Sequence, residues 1–183
     1  MDTAVSAPAA RPILGLHHFA WRCKDAEATR HFYEDILGLP LVHVIKNDFV
    51  PSTGEFCPYV HIFFRMHDGS SLAFFDLGDD IAALPSPNTP GWVNHIAVRV
   101  AGDAELQAMR ARLIAYGIEV IGVIDHDGYI HSIYFFDPNG FRLEITAEVA
   151  AADVVDGFAQ RAHAEIQQWN QEKAVRRQGS VAQ

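Results

Sequence analysis

The sequence predicts an α+β fold made of two tandem βαβββ modules followed by a C-terminal helix. The first observation is a weak internal repeat, in which residues 18–23 (HFAWRC) resemble residues 95–100 (HIAVRV) at the His, Ala and Arg positions. Secondly, each copy alternates as a strand does and is followed by Asp-Ala-Glu and a helical stretch. Thirdly, three extended segments follow each helix. One strand, one helix and three strands therefore occur twice.

Each predicted helix has recognisable ends. The first runs from Asp25 to about Leu37 and the second from Asp103 to about Tyr116. Aspartate is a favourable N-cap, and acidic residues in the first turn suit the helix dipole. A glycine follows each helix, as is common at a helix C-terminus.

The remaining strands are predicted from short apolar or alternating segments bounded by turn residues. The last two strands of each module are joined by short turns at 67–70 (HDGS) and 137–140 (DPNG), whose composition is typical of tight turns. The predicted strands are 40–46, 59–66 and 71–77 in the first module, and 118–124, 130–136 and 141–147 in the second.

The chain of 183 residues is long enough for one core. We expect a mobile tail at 1–12, a single domain at 13–148, and a C-terminal helix and tail at 149–183. Module one covers about 14–78 and module two about 92–147, joined by a proline-containing linker at 78–91. The C-terminal helix, predicted at 151–177, carries an apolar stripe that could pack on the body or on a second subunit: Val154, Phe158, Ala162, Ile166 and Trp169.

The composition excludes several classes of partner. A net charge of -9 argues against nucleic acids and anionic membranes. No apolar run reaches the roughly 18 residues that a membrane helix needs, and the N-terminus lacks the pattern of a signal peptide. Two cysteines, Cys23 and Cys57, do not make a disulfide framework, so a cytoplasmic location is expected.

Superimposing the two copies predicts a metal site. His18 falls on His95, and Ala73 falls on Glu144, four residues after the glycine of each turn. Pseudo-twofold symmetry would bring His18, His95 and Glu144 together, with Ala73 where a fourth ligand would lie. Two histidines and one carboxylate leave coordination positions open, as in non-haem Fe(II) enzymes that activate oxygen. The competing interpretation is that both histidines are hydrogen-bonded residues of the core.

These features together resemble the vicinal oxygen chelate superfamily, which includes glyoxalase I, bleomycin and fosfomycin resistance proteins, and type I extradiol dioxygenases. The resemblance covers residues 14–147. It implies that the two modules form a cupped, barrel-like mixed sheet around a metal.

A longer pattern is similar to the extradiol dioxygenase signature. It contains His126 in Ile-Asp-His, Tyr134 in Ile-Tyr, the turn 137–140 and then Glu144. The resemblance implies that Glu144 is an iron ligand and that His126 and Tyr134 contact the bound catechol.

The sequence departs from that family at Ser70, where an acid/base histidine usually lies. His61 is the candidate to replace it, because it shares a strand face with Phe63, the residue that superimposes on Tyr134. A packed, hydrogen-bonded histidine is the alternative role of His61. Phe63, Phe75 and Trp92 are candidates to line the substrate pocket or, alternatively, to pack in the core.

The resemblance implies an Fe(II)-dependent extradiol dioxygenase that cleaves a small aromatic diol with O2. Mn(II) or another divalent metal could replace iron, and a homodimer is expected. Two alternatives stay open: a metal-dependent glyoxalase-like isomerase, lyase or epimerase, and a resistance protein that sequesters a small molecule.

Overall fold

The computed structural model describes residues 12–180, with side chains up to residue 177. The predicted tail at 1–12 therefore lies outside the described residues except for residue 12. The elements are β1 (His18–Arg22), α1 (Ala26–Arg30), β2 (Leu41–Phe49), β3 (Phe56–Arg65), β4 (Ser71–Asp76), β5 (Ile96–Arg99), α2 (Asp103–Ala115), β6 (Ile121–His126), β7 (Ile130–Phe136), β8 (Arg142–Glu148) and α3 (Ala152–Ser180).

The strands form two four-stranded mixed sheets of the same topology. Their orders are β1-β4-β3-β2 and β5-β8-β7-β6. In each sheet the first strand of the module pairs in parallel with the last, and the two middle strands pair antiparallel. The prediction of an α+β fold with two βαβββ modules and a C-terminal helix is confirmed.

Some boundaries differ from the predicted ones for identifiable reasons. β2 and β3 continue beyond 46 and begin before 59, because their pairing extends across a register shift to Phe49 opposite Phe56. β6 begins later than predicted, because the amide of Ile118 still donates to the carbonyl of Leu113 at the end of α2. β6 also ends two residues later than predicted, so that His126 is its last residue.

The two module helices begin differently. Asp25 caps α1 as predicted, since its carboxylate accepts a hydrogen bond of 2.6 Å from the amide of Ala28. After Arg30 the helix continues as a π-helical segment, His31–Ile36, which the sequence pattern did not predict. The cap predicted at Asp103 is wrong by one residue: Gly102 is the N-cap of α2, and Asp103 lies in the first turn.

The contacts of the chain fall into two compact units. Of the described residues, one unit contains 12–94 together with Phe136–Phe141, and the other contains His95–Phe135 and 142–180. The turn between β7 and β8 thus belongs by sequence to module two and by packing to the first unit.

That turn is held in the first unit by a buried polar network. The Asp137 carboxylate accepts hydrogen bonds from the Tyr33 hydroxyl at 3.1 Å and from the amides of Asn139 and Phe141 at 2.8 Å each. The Asn139 side chain donates to the Thr29 hydroxyl and accepts from the amide of Lys24. Burial raises the pKa of Asp137 despite these donors, which lower it.

Helix α3 is mostly exposed. Phe158 makes an edge-to-face contact with Tyr129 at a ring distance of 5.2 Å, both within the second unit. Further along the predicted stripe, Ile166 and Trp169 are 55% and 50% exposed. None of the helices in residues 12–180 is long and apolar enough to cross a membrane.

Candidate functional site

The pairing of strands places corresponding residues of the two repeat copies at equivalent positions in the two sheets. In the first sheet Ala20 lies opposite Ala73, and in the second Ala97 lies opposite Glu144. Ala20 and Ala97 each follow a repeat histidine by two residues. Ala73 and Glu144 therefore occupy equivalent positions in their sheets, as the sequence overlay predicts.

In the second unit, two of the three predicted ligands are in contact. The Nε2 atom of His95 lies 2.9 Å from Oε2 of Glu144. Glu144 is only 4% exposed, and its other oxygen accepts a 2.5 Å hydrogen bond from the hydroxyl of Ser132. A buried carboxylate with an imidazole nitrogen beside it offers the oxygen and nitrogen donors that divalent transition metals bind.

The two signature residues also meet in this unit. The Tyr134 hydroxyl and His126 Nε2 share a hydrogen bond of 2.9 Å. The Tyr134 ring lies 6.1 Å from that of His95, and the guanidinium of Arg142 lies 4.2 Å from the Tyr134 ring centroid. Burial raises the pKa of Tyr134, and the nearby Glu144 carboxylate raises it further. The hydroxyl therefore keeps its proton at neutral pH and can donate it in a hydrogen bond.

In the first unit, His18 lies among aromatic rings. Its ring centroid is 5.8 Å from His61 and 5.4 Å from Phe63. His17, which the alternation of β1 predicts to point away, shares a 2.7 Å contact between Nδ1 atoms with His18. This contact occupies Nδ1 of His18 and leaves its Nε2 outside that hydrogen bond.

His61 is buried, with 7% exposure, and stacks on Phe75 at 3.6 Å between ring centroids. No described residue hydrogen-bonds its Nε2. Burial, with a smaller contribution from the neighbouring His18 and His43, lowers the pKa of His61 to about 4. At neutral pH this imidazole is uncharged.

Other predicted positions are less enclosed or already engaged. The Ser70 hydroxyl donates to Asp68 Oδ1 at 2.6 Å, so this serine is committed to its own turn. Trp92 lies in the loop before β5 and is 68% exposed, and its role in a pocket stays a prediction. Within residues 12–180, no group of three or more His, Cys, Asp or Glu is arranged to hold a metal ion. The three-ligand set therefore stays a prediction, of which His95 and Glu144 are in direct contact.

Sequence reasoning missed Ser132, a fully buried residue of β7 bonded to Glu144. Strand alternation could have identified it, because Ser132 lies two residues before Tyr134 and therefore on the same strand face.

The sequence matches the model of the Glyoxalase/Bleomycin resistance protein/Dioxygenase superfamily over residues 15–145. The chain belongs to this superfamily. No curated protein matches it significantly. The superfamily name covers enzymes and resistance proteins, so membership establishes the fold and its class without specifying the reaction.

Solved structures of the superfamily fold resemble the chain over most of their length. A mutant of the fosfomycin resistance protein FosX from Listeria monocytogenes, complexed with Mn(II) and 1S,2S-dihydroxypropylphosphonic acid, is 21% identical, with a TM-score of 0.54, covering 78% of this chain and 97% of FosX. Lactoylglutathione lyase from Agrobacterium tumefaciens is 24% identical, with a TM-score of 0.53, covering 74% and 95%. The antibiotic binding protein TnmS3 from Streptomyces sp. CB03234 is 20% identical, with a TM-score of 0.52, covering 76% and 99%. These likenesses show the fold alone.

Proposed function

We propose that this superfamily member is an Fe(II)-dependent extradiol dioxygenase, which cleaves a catechol ring next to its two hydroxyls with O2. The observation that carries the proposal is the hydrogen bond between His126 and Tyr134. These are the two residues that the extradiol signature assigns to substrate contact. In the same unit lies Glu144, the carboxylate that the signature assigns to the metal.

The donor set supports a divalent metal at this position. Glu144 is a buried carboxylate next to His95, and burying such a charge without a cation is costly. His18 is proposed as the third ligand from the repeat overlay alone. Fe(II) suits an open set of two histidines and one carboxylate, and Mn(II) is the other candidate. A bound ion would supply Lewis-acid and redox chemistry toward a vicinal diol and O2.

The residues of the chain then have distinct tasks. The Tyr134 hydroxyl keeps its proton and donates it in a hydrogen bond to a substrate oxygen, while His126, with its proton on Nε2, donates to the hydroxyl oxygen and holds it in place. His61, assigned from the repeat, accepts a catechol proton at Nε2, which no described residue hydrogen-bonds. Phe63 and Phe75 flank the His61 imidazole and give it an apolar, water-poor surrounding.

Ala73 supports an oxygen-using reaction over an isomerase. It occupies the position equivalent to Glu144 and has no metal-binding atom. A fourth protein ligand would favour Lewis-acid chemistry without oxygen, whereas three ligands leave adjacent positions for a diol and O2.

The test is anaerobic loading with Fe(II), followed by an oxygen-electrode assay with simple, alkyl, aryl and carboxylated catechols. We expect one O2 consumed per catechol and a conjugated, often yellow, ring-opened product. Labelling with 18O2 should place both oxygen atoms in the product. Turnover of a hemithioacetal or an acyl-CoA epimerisation substrate without oxygen, together with inert catechols, would instead establish the isomerase function.

Tyr134→Phe and His126→Ala should each keep metal content and lower turnover by about tenfold or more, because both residues act on the substrate and its protons. Metal analysis and steady-state kinetics check this. Tyr129→Phe is a matched control, since the Tyr129 ring contacts Phe158 of α3, and the hydrogen bond from its backbone amide to the carbonyl of His126 survives the substitution. Kinetics unchanged from the wild type in both test variants would mean that the signature match is accidental.

We further propose that the chain is a cytoplasmic homodimer whose other partners are the diol and O2. The half-exposed apolar residues of α3 support self-association. Trp169→Glu should shift the mass measured by light scattering from dimer to monomer, while Gln168→Glu should not. A wild-type chain that is monomeric at micromolar concentration would refute the proposed dimer.

A further inference from the structure

We propose that Ser132 is a positioning residue that fixes the carboxylate of Glu144 for metal binding through one oxygen. This inference rests on the proposed metal site and adds a residue that neither the repeat nor the signature identifies. Ser132 lies on β7 and is fully buried.

The two oxygens of Glu144 have different partners. Oε1 accepts the Ser132 hydroxyl proton at 2.5 Å, and Oε2 lies 2.9 Å from His95 Nε2. A hydrogen bond between a hydroxyl and a carboxylate is among the strong ones in proteins. Because Oε1 is already engaged, Ser132 directs Oε2 to the side where the histidine ligand lies.

This arrangement has a consequence for coordination. A carboxylate that is free to rotate can bind a metal through both oxygens and occupy two positions. With Oε1 held by Ser132, the carboxylate presents Oε2 on the His95 side, which favours binding through one oxygen and leaves a further position open. Partners of this kind, which hold a ligand rather than the metal, typically contribute tenfold to a hundredfold in affinity.

Ser132 also shows how the two modules have diverged. His61 lies opposite Ile45 in the first sheet, and Ser132 lies opposite Ile124 in the second, each two residues before the overlaid pair Phe63 and Tyr134. In the first module this position is His61, whose Nε2 has no hydrogen-bond partner among residues 12–177. In the second module it is Ser132, whose hydroxyl donates to the carboxylate of Glu144. At these two pairs of equivalent positions, the second module has both Glu144 and the Ser132 hydroxyl, whereas the first has Ala73 and His61.

The test compares Ser132→Ala with Thr146→Val. The Thr146 hydroxyl lies 3.2 Å from that of Ser132, so its removal disturbs the same cluster while leaving the Ser132–Glu144 bond in place. Titration calorimetry of Mn(II) into the metal-free proteins should show affinity lowered tenfold to a hundredfold in Ser132→Ala, and by less than about threefold in Thr146→Val. Crystal structures of the metal-free proteins should show Glu144 rotated only in Ser132→Ala.

Equal Mn(II) affinity in Ser132→Ala and the wild type, with Glu144 in the same rotamer, would overturn the proposal. If Ser132→Ala does not fold, Ser132→Cys, which keeps a weak donor of similar size, should fall between it and the wild type, and wild-type affinity there would equally overturn it. A wild-type protein that binds no Mn(II) or Fe(II) would contradict the proposed function. The rotamer of Glu144 in the two crystal structures would then decide the role of Ser132 by itself.

Discussion

Replacing Glu144 or His95 by alanine should remove the metal and all turnover while leaving the fold intact. Each is proposed to donate directly to the ion, so its loss should weaken binding by more than the tenfold to hundredfold expected for an indirect partner. Glu144→Ala should keep the fold because alanine removes the costly burial of the carboxylate charge together with its hydrogen bonds, and His95→Ala should keep it because the His95 side chain is 30% exposed. Metal content by mass spectrometry and unfolding monitored by circular dichroism give the two readouts.

The chain offers matched controls for this experiment. Glu148→Ala alters an exposed carboxylate on the same strand β8, and His67→Ala alters an exposed histidine in the first-module turn. Both should keep full metal content. His18→Ala tests the ligand that rests on the repeat alone and should behave as His95→Ala does. Stoichiometric metal in all three ligand variants would refute the proposed site.

Asp137→Ala should destabilise the protein by about 3 kcal/mol or more, because it leaves the Tyr33 hydroxyl and the amides of Asn139 and Phe141 without their acceptor in a buried place. For a chain of this length, this corresponds to a fall in Tm of roughly 10 °C. Part of the effect is offset, since burial of the carboxylate is itself unfavourable and raises its pKa. Urea unfolding measures the change.

Two comparisons sharpen this result. Asp137→Asn keeps one carbonyl acceptor and should lose less stability than the alanine variant. Asp68→Ala removes a turn carboxylate that accepts from Ser70 but is exposed, and its cost should stay below about 1 kcal/mol. Equal losses of unfolding free energy in Asp68→Ala and Asp137→Ala would mean that the buried network around Asp137 adds no stability beyond that of an exposed turn carboxylate.

The sequence was informative where periodicity and repetition determine structure. Alternation and the duplicated histidine predicted both modules, and the pairing of Ala73 and Glu144 with equivalent strand positions follows from counting residues past each turn. Counting works there because a strand advances in fixed steps, and two copies of one fold share their register.

The sequence was less informative where contacts between distant segments determine the structure. The π-helical segment at His31–Ile36 has no local signature, and the alternation that places Ser132 on the face of Tyr134 does not indicate its hydrogen bond to Glu144. The network around Asp137 joins its turn to Tyr33 of the π-helical segment, 104 residues earlier in the chain, and no pattern within either segment indicates the other. Such contacts depend on packing, which propensity and spacing do not encode.

The packing of Phe136–Phe141 in the first unit has a consequence for folding during synthesis. A ribosome delivers the N-terminal module first, yet Tyr33, Thr29 and the amide of Lys24 receive their partners only after a helix and three strands of the second module have emerged. The duplicated halves are therefore not two independent folding units joined end to end. A chain truncated after residue 94 should lack a piece of its own interior, and release of the native N-terminal module should wait for synthesis of its C-terminal neighbour.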